Sequence, residues 1–386
     1  MKRTRHQSGY VFRKGDNWYL RYYDNVLQGG EAVRLQKCKK LCAASGQYRS
    51  KRAAQVLAAE FLQPFNDGTH TPESTMTLET FVDNRYLPYI EEQKRPSTYR
   101  GYKNMWLRYL KPRTEIAMRD FRPVEGEQLL LDIARSEDLT RRTLGHIKNM
   151  LSGVFSYARR IGILNSPNPM RDVPIPKARA SAETHAYSLE EIMRMLVVVP
   201  PGIAPIVAAA AFTGARKGEL RGFQWENYDG EQIRITQSVW RGHIGEPKTA
   251  KSSAPIPVIA PLARFLEQKR QAAGNPTSGL MFPNSLGRPM NFDMLAFEVI
   301  KPMLGKAGIQ WHGWHAFRRG LATNLYRLGV KDKVIQAILR HSNLSTTMNA
   351  YVKSVSLDAT AAMRTLEAIY ATSMQPAAES PTIVLQ

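Results

Sequence analysis

The sequence predicts a mainly α-helical protein with small antiparallel β-sheets, arranged in three domains. Strand-like pieces occur only near the N-terminus and within the C-terminal half, whereas apolar residues recur every three or four positions over most of the remainder. Residues 71–76 and 166–184 interrupt that helical period and are predicted to be linkers. The predicted domains are a small β-sheet plus helix (residues 1–70), a four-helix bundle (77–165) and a mixed α/β domain (185–373).

The composition favours a polyanionic partner. The 386 residues carry a formal net charge of +21, which must repel itself unless a polyanion neutralises it. Nucleic acid is the leading candidate. Acidic membrane lipid is the alternative, but the sequence shows neither a basic amphipathic helix nor a lipidation signal. No apolar signal core follows the basic N-terminus, and Cys38 and Cys42 are predicted to be free thiols, so we expect a protein of a reducing, cytoplasmic compartment.

The first domain is predicted to be a basic sheet packed on one helix. Its first 52 residues hold 13 Lys and Arg against three acidic residues. A helix is expected from Ser50 to about Phe65, and strands are predicted at residues 10–12, 18–23 and 32–35. A basic sheet that carries Arg21 among aromatic residues suits a groove of duplex DNA, and a simple solubility appendage is the alternative.

The second domain is predicted to be a compact bundle. Its helices are expected at residues 78–92, 97–110, 124–135 and 140–161. Basic side chains crowd two of these helices, and the candidates for contacts to the DNA backbone are Arg95, Arg100, Lys103, Arg141, Arg142 and Lys148. Such a charge run is often only a solvated face, but the matching sign of every domain favours nucleic acid.

The third domain is predicted to be helical with a small antiparallel sheet. Ser188 and Glu191 form a capping box that starts a helix. The uncharged run 195–215 is long enough to span a membrane, but prolines and a glycine break it, which predicts two buried helices joined by a turn. Strands are then predicted at residues 233–236 and 254–258, helices at 261–273, 291–304, 315–328, 331–339 and 359–371, and a loose tail at 374–386.

A set of polar residues in the third domain suits phosphoryl transfer. Its members are Arg216, Lys248, His315, Arg318, His341 and Tyr351. His315 and Arg318 are three positions apart, hence on one helix face. Side-chain cations can clamp the non-bridging oxygens of a phosphate while a hydroxyl attacks in line, so this chemistry needs no metal ion and no other cofactor.

Other candidate residues receive structural interpretations. His312 and His243 are predicted to be structural or solvent-facing, because no acidic cluster accompanies them to form a metal site. Tyr326 and Tyr370 are alternative tyrosines, but neither follows a histidine at the needed distance, so both are predicted to be packing residues. Arg319 must point to a different helix face from Arg318, which favours contact with the DNA backbone.

Four segments resemble, in order, the sequence boxes of the tyrosine recombinases, the phage integrase family. Residues 213–220 (TGARKGEL) resemble the first arginine box, 315–318 (HAFR) the second, and 340–351 the terminal box. Lys248 lies between two predicted strands, where the family keeps its lysine. The bundle resembles the family's core-site binding domain, the basic sheet its arm-site binding domain and the third domain its catalytic domain.

The resemblance implies a role for each residue. Tyr351 would attack the scissile phosphate to give a 3′-phosphotyrosyl intermediate and a free 5′-hydroxyl. Lys248 would protonate the leaving oxygen, with Lys251 as the alternative. Arg216 and Arg318 would clamp the phosphate oxygens, and Glu219 would hold Arg216 in position. His315 and His341 would assist proton transfer or orient the phosphate.

The sequence departs from the family's pattern at two points. Arg340 stands where the family commonly has glycine before the histidine, and the ten-residue interval from His341 to Tyr351 is at the long end of the family's range. Neither departure removes a reacting group.

The resemblance implies a site-specific DNA recombinase that acts as a homo-tetramer on double-stranded DNA, at core and arm attachment sites. The arm-type domain favours an integrase of a prophage or mobile element over a Xer-like resolvase. A type IB topoisomerase remains an alternative of the same chemistry, and a non-catalytic DNA-binding regulator is the alternative of another class. DNA-bending accessory proteins and a directionality protein are further candidate partners.

Overall fold

The computed structural model describes residues 6–246 and 254–340. The chain divides into two compact units, Met1–Ala182 and Glu183–Gln386. The predicted fold class is confirmed, because the described elements are mainly helices accompanied by three small antiparallel sheets. No helix in the described part is long and apolar enough to cross a membrane.

The N-terminal sheet has three antiparallel strands in sequence order. The strands are Tyr10–Lys14, Asn17–Gln28 and Glu31–Ala43. Alternate residues of the middle strand are buried from Trp18 to Val26, which is the period-2 pattern of a strand with one covered face. Helix Lys51–Asn66 packs on that face through Ala54 and Leu62 among others. Both the second and the third strand run longer than predicted. In the third strand, the added residues Lys37, Lys39 and Lys40 are basic and leave no apolar pattern.

Within the first unit, a buried ion pair joins this sheet to the helical part. Asp24 is 1% exposed and accepts from both Nη1 and Nη2 of Arg119, at 3.1 Å and 2.6 Å. Nζ of Lys37 donates to the same carboxylate at 2.8 Å. Residues Pro72–Thr75 form a single 3₁₀ turn, and Oγ1 of Thr75 accepts from the backbone N–H of Leu27 at 3.0 Å.

The helical part of the first unit contains the four predicted stretches. Its helical segments are Leu78–Phe81, Val82–Tyr86, Leu87–Gln93, Pro96–Met105, Trp106–Leu110, Pro123–Ser136 and Arg141–Arg160, of which Val82–Tyr86 and Trp106–Leu110 are π-helical turns. Trp106 is fully buried, and its indole N–H donates to Oδ1 of Asp83 at 2.7 Å, which satisfies the polar end of the ring. Short 3₁₀ turns occur at Gly46–Tyr48, Lys111–Arg113 and Met118–Asp120.

The second unit is built around the alanine-rich helix Ala204–Thr213, which is buried on nearly every face. The 195–215 run therefore divides between this helix and Leu189–Val198, with Pro200 and Pro201 between them and Pro205 in the first turn of the second helix. The other helical segments are Lys217–Leu220, Trp225–Asn227, Ala260–Ala272, Phe292–Leu295, Ala296–Ile300, Lys301–Lys306, Trp314–Arg327 and Asp332–Leu339.

The strands of the second unit differ from the sequence prediction. Gln232–Ile233 pairs antiparallel with Ile256–Pro257, so both predicted strands are shorter than expected. A hairpin between them, Ser238–Trp240 with His243–Gly245, was not predicted. Its two-residue turn has φ of 47° at residue 241 and 87° at residue 242, the positive values that a type I′ turn needs. Arginine in the first of these positions hides the usual Asn-Gly or Asp-Gly signal.

Candidate active site

The first arginine box follows the buried helix Ala204–Thr213. Gly214 ends that helix with φ +57°, and a Cβ atom there would lie 2.9 Å from Cδ2 of both Leu321 and Leu339. Glycine is therefore required both by the left-handed backbone and by the close packing of two other helices. The bend directs the chain into Arg216, the residue that precedes the short helix Lys217–Leu220.

Arg216 and Glu219 form a tight pair at the start of this short helix. The carboxylate of Glu219 accepts from Nη1 of Arg216 at 2.7 Å and from its backbone N–H at 2.9 Å. Glu219 is 3% exposed, whereas the Arg216 side chain is 37% exposed. The buried carboxylate thus orients a guanidinium that remains accessible to a ligand.

The second box lies on helix Trp314–Arg327, where Arg318 is 4% exposed. Its Nη1 donates to the carbonyl oxygen of Gly214 at 2.7 Å, and its Nη2 donates to that of Leu339. Burial, together with the charges of Arg216 and Arg340, lowers the pKa of Arg318 to about 9. The guanidinium therefore remains protonated at neutral pH and is held between the ends of two other helices.

His315 lies one turn before Arg318 on the same helix, with part of its ring exposed. Desolvation, followed by the charges of Arg318, Arg319 and Arg216, lowers the pKa of His315 below its ordinary value of 6.5. The imidazole is therefore neutral at pH 7 and can accept a proton. A cleft of about 470 Å³ opens beside it, lined by residues that include Trp311, His312, Trp314, Lys217 and Arg319.

Arg340 is the residue of this site that the sequence left without a role. It ends helix Asp332–Leu339 with φ +55° and ψ +42°, the left-handed backbone that glycine usually supplies at this position. Its side chain is 1% exposed, and its Nη2 donates to Oε2 of Glu219 at 2.9 Å. The signal available in the sequence was an arginine at a position where the family commonly has glycine, together with an acid, Glu219, among the candidate residues.

The structure brings together only part of the predicted catalytic set. Arg216 binds Glu219 directly, and Arg318 binds the carbonyl of Gly214, two residues before Arg216. His315 lies within electrostatic reach of both arginines. The other four predicted residues, Lys248, Lys251, His341 and Tyr351, lie outside the described residues.

Three ring side chains, those of His185, Tyr187 and His312, pack together beside the start of the helix that carries the second box. The hydroxyl of Tyr187 accepts from the backbone N–H of His312 at 2.6 Å, and the rings of His312 and His185 stack at 3.9 Å. Nε of Arg319 donates to the carbonyl of His185 at 2.7 Å, so this guanidinium is partly engaged within the protein. These contacts fix the start of the helix that carries His315.

The residues predicted to bind DNA in the first unit are mostly on its surface. Those that are exposed are Arg21, Arg95, Arg100, Lys103, Arg141 and Arg142. Lys148 is half-buried, and its Nζ donates to the carbonyl of Arg171 at 3.3 Å. The guanidinium of Arg21 lies 5.3 Å from the ring centre of Phe12, on an aromatic strip of the sheet.

Comparison with known proteins agrees with the fold. Residues 203–356 match the model of the phage integrase family. The tyrosine recombinase XerC-like protein of Caldanaerobacter subterraneus subsp. tengcongensis is 24% identical over 83% of this chain and 90% of its own length. An integrase of Streptomyces ambofaciens is 22% identical over 80% of this chain and 84% of its own length.

Solved structures support the fold. The Tn1549 transposon integrase, determined in complex with a circular intermediate DNA, superposes with a TM-score of 0.60 at 18% identity, over 72% of this chain and 95% of that one. A lambda integrase tetramer bound to a Holliday junction superposes with a TM-score of 0.56 at 16% identity, over 88% of this chain and 94% of that one.

The fold and the arginine boxes, taken with the comparisons, define a tyrosine recombinase, an enzyme of the site-specific recombinases. Residues 203–356 form a domain of the phage integrase family.

Proposed function

We propose that this chain is the integrase of a prophage or other mobile element, which cuts and rejoins double-stranded DNA at attachment sites through a phosphotyrosyl bond. The observation that carries the proposal is the joining of Arg216 and Arg318 at one site, through the carbonyl of Gly214 and the carboxylate of Glu219. Two oriented guanidiniums match the two non-bridging oxygens of a phosphodiester.

In this mechanism, the Tyr351 hydroxyl attacks the scissile phosphorus, and the bond from phosphorus to the 5′-oxygen breaks. The phenol proton passes to a base, for which neutral His315 and His341 are the candidates. Lys248, or alternatively Lys251, protonates the departing 5′-oxygen. Attack by a 5′-hydroxyl on the phosphotyrosine then reverses these steps and reseals DNA, so the phosphoester energy is retained and no ATP is consumed.

The basic residues support DNA as the substrate. The net charge of +21 and the exposed arginines of the first unit suit a phosphate backbone. We infer that residues 1–70 bind arm sites, that 77–165 and 185–373 bind and cut the core site, and that 71–76 and 166–184 connect them. The three-stranded basic sheet favours an integrase over a resolvase of the Xer type.

Assembly on DNA is inferred from the lambda integrase tetramer on a Holliday junction. We propose a homo-tetramer, associated with the nucleoid in the cytoplasm of a prokaryotic cell. Residues 359–371, which are predicted to be a helix and lie outside the described residues, would dock on a neighbouring subunit. DNA-bending and directionality proteins would bias the reaction toward integration or excision.

The test is covalent capture. The full-length chain first selects its binding sequence from a pool of randomised duplexes, and a nicked suicide substrate is then built on that sequence. We expect a covalent protein–DNA adduct that disappears in Tyr351→Phe and persists in the matched control Tyr326→Phe. An adduct that survives Tyr351→Phe would refute the proposed nucleophile.

Three alternatives predict different results with the same selected DNA. The XerC-like relative favours a chromosome resolvase, which would recombine the selected sites after residues 1–70 are deleted. A type IB topoisomerase would relax plasmids without a sequence requirement. Site-specific binding without any adduct would identify a DNA-binding regulator.

A further inference from the structure

Arg340 has a left-handed backbone conformation that disfavours arginine, and its side chain is buried. Its φ of +55° suits glycine or asparagine, and its side chain is 1% exposed. Burying a guanidinium costs free energy unless ion pairs and hydrogen bonds offset the lost hydration. Both features oppose arginine at this position, so its presence calls for an explanation.

Stability alone does not supply that explanation. Within residues 6–246 and 254–340, Nε and Nη1 of Arg340 have no hydrogen-bond partner, and Nη2 donates to Glu219. A buried charge with orphaned donors is a weak source of stability, because the unsatisfied N–H groups have lost water without compensation. The hydrogen bond from Arg340 to Glu219 is therefore the contact that indicates the role of Arg340.

That contact places Arg340 and Arg216 on the same carboxylate. Oε1 of Glu219 binds Nη1 of Arg216 at 2.7 Å, while Oε2 binds Nη2 of Arg340 at 2.9 Å. Arg318 is linked to both neighbouring segments, since it donates to the carbonyls of Gly214 and Leu339. Two guanidiniums thus bind one buried carboxylate, and a third, that of Arg318, lies within electrostatic reach of it.

The charge balance at the site follows from this arrangement. Arg216 and Arg318 contribute two positive charges, and Glu219 cancels one of them. With Arg340 bound to the other oxygen of Glu219, the cluster returns to a net of two positive charges. The phosphate gains negative charge as an attacking oxygen arrives, so this second charge matters most in the transition state.

We propose that Arg340 is a positioning residue that neutralises Glu219, so that Glu219 orients Arg216 without weakening its attraction for the phosphate. This inference rests on the proposed function. The presence of arginine instead of glycine at position 340 then has an electrostatic explanation. Glu219, which orients Arg216, is an acid and would weaken phosphate binding in the transition state, and the charge of Arg340 offsets that effect.

The test is a double-mutant cycle in the full-length chain, read as the single-turnover cleavage rate on the suicide duplex. We expect Arg340→Asn to slow cleavage about 10- to 100-fold while changing the DNA dissociation constant less than about threefold. Asparagine tolerates the left-handed backbone, and Arg340→Gly is the second variant in case the first does not fold. Arg340→Lys, which keeps the charge, should lie between the wild type and Arg340→Asn.

Glu219→Gln gives the decisive comparison. In the wild-type background this change loosens Arg216 and should slow cleavage, but in the Arg340→Asn background it restores the net charge and should speed cleavage about fivefold or more. A purely structural role for Arg340 predicts that the double variant is as slow as Arg340→Asn or slower.

Other outcomes are equally clear. If Arg340→Asn and Arg340→Gly both cleave at the wild-type rate, Arg340 does not act in the reaction and the inference is wrong. If the wild-type chain forms no adduct at all, the proposed function fails, and this inference fails with it.

Discussion

Nη1 of Arg318 donates to the carbonyl oxygen of Gly214 at 2.7 Å, across 104 residues of sequence. The same side chain donates through Nη2 to the carbonyl of Leu339. One buried guanidinium thereby joins the first arginine box to the helix that precedes the terminal box. Because both carbonyls lie at helix ends, the arginine also satisfies acceptors that the helices leave unpaired.

Arg318→Lys tests the fork geometry of this residue. Lysine keeps the charge but cannot donate to both carbonyls in the plane of a guanidinium, so we expect single-turnover cleavage to fall by about 10²–10³-fold with DNA binding largely retained. Arg327→Lys, an exposed change on the same helix, is the matched control. A cleavage rate within twofold of wild type in Arg318→Lys would contradict the phosphate-site assignment.

The lowered pKa of His315 predicts the acid side of the pH profile. The imidazole is neutral at pH 7, so cleavage should be level there and decline once the pH falls well below 6.5, as the ring becomes protonated. Stability should change with pH in the same direction as cleavage. As the pH drops, His315 is protonated in the unfolded chain before it is protonated in the folded one, so the free energy of unfolding falls from about pH 6.5 through the lowered pKa.

The measurement is the cleavage rate and the urea midpoint between pH 4.5 and 8. His315→Asn should remove the decline attributable to this group and lower the plateau, whereas His146→Asn, an exposed histidine of the bundle, should change neither. A wild-type decline centred above pH 7 would be inconsistent with a neutral His315.

The buried ion pair of Asp24 predicts that the stability of the first unit depends strongly on this one carboxylate. Asp24→Ala leaves Arg119 without its bidentate partner, and loss of one member of a buried pair costs about 3–5 kcal/mol. We expect a large fall in the melting temperature of the full chain. Asp16→Ala, whose carboxylate is fully exposed on the same sheet, should stay within about 0.5 kcal/mol.

The pH dependence of this pair has a defined sign. Burial opposes ionisation of Asp24, but hydrogen bonds from Arg119 and Lys37 outweigh it and lower its pKa. The pair's stabilisation is therefore present above the ordinary carboxyl pKa of 3.8 and is lost as the pH falls below it. A melting curve of Asp24→Ala that matches the wild type at pH 7 would show that this pair does not anchor the sheet.

The close packing around Gly320 predicts that helix Trp314–Arg327 cannot accept a larger side chain at this position. A Cβ atom at this position would lie 2.4 Å from the carbonyl oxygen of Tyr187, which is backbone and cannot swing aside. Gly320→Ala should therefore destabilise the protein by about 1–3 kcal/mol despite the better helix propensity of alanine.

Gly305→Ala is the matched change, because a Cβ there meets nothing within 4 Å and the backbone is helical. It should leave stability unchanged or raise it by up to about 1 kcal/mol. Equal effects of the two substitutions in thermal unfolding would refute the close approach at Tyr187.

The sequence by itself determined most of the helices and the order of the candidate catalytic residues. Periods of three and four located the four helices of the bundle within a few residues, because one face of each must be apolar to form the core. It also identified Arg216 and Arg318 as a pair, because their boxes have local patterns. The roles of Lys248, His341 and Tyr351 stay predictions.

Only the tertiary structure decided which groups share a partner. The pairings of Asp24 with Arg119 and of Glu219 with Arg340 join residues far apart in the chain, and no local period reports such a contact. Arg340 is the clearest case: as sequence it is a departure from glycine, and as structure it is a buried cation on the carboxylate that orients Arg216. The physical reason is that burial and charge pairing are set by three-dimensional neighbours, whereas sequence patterns report local backbone geometry and which face is apolar.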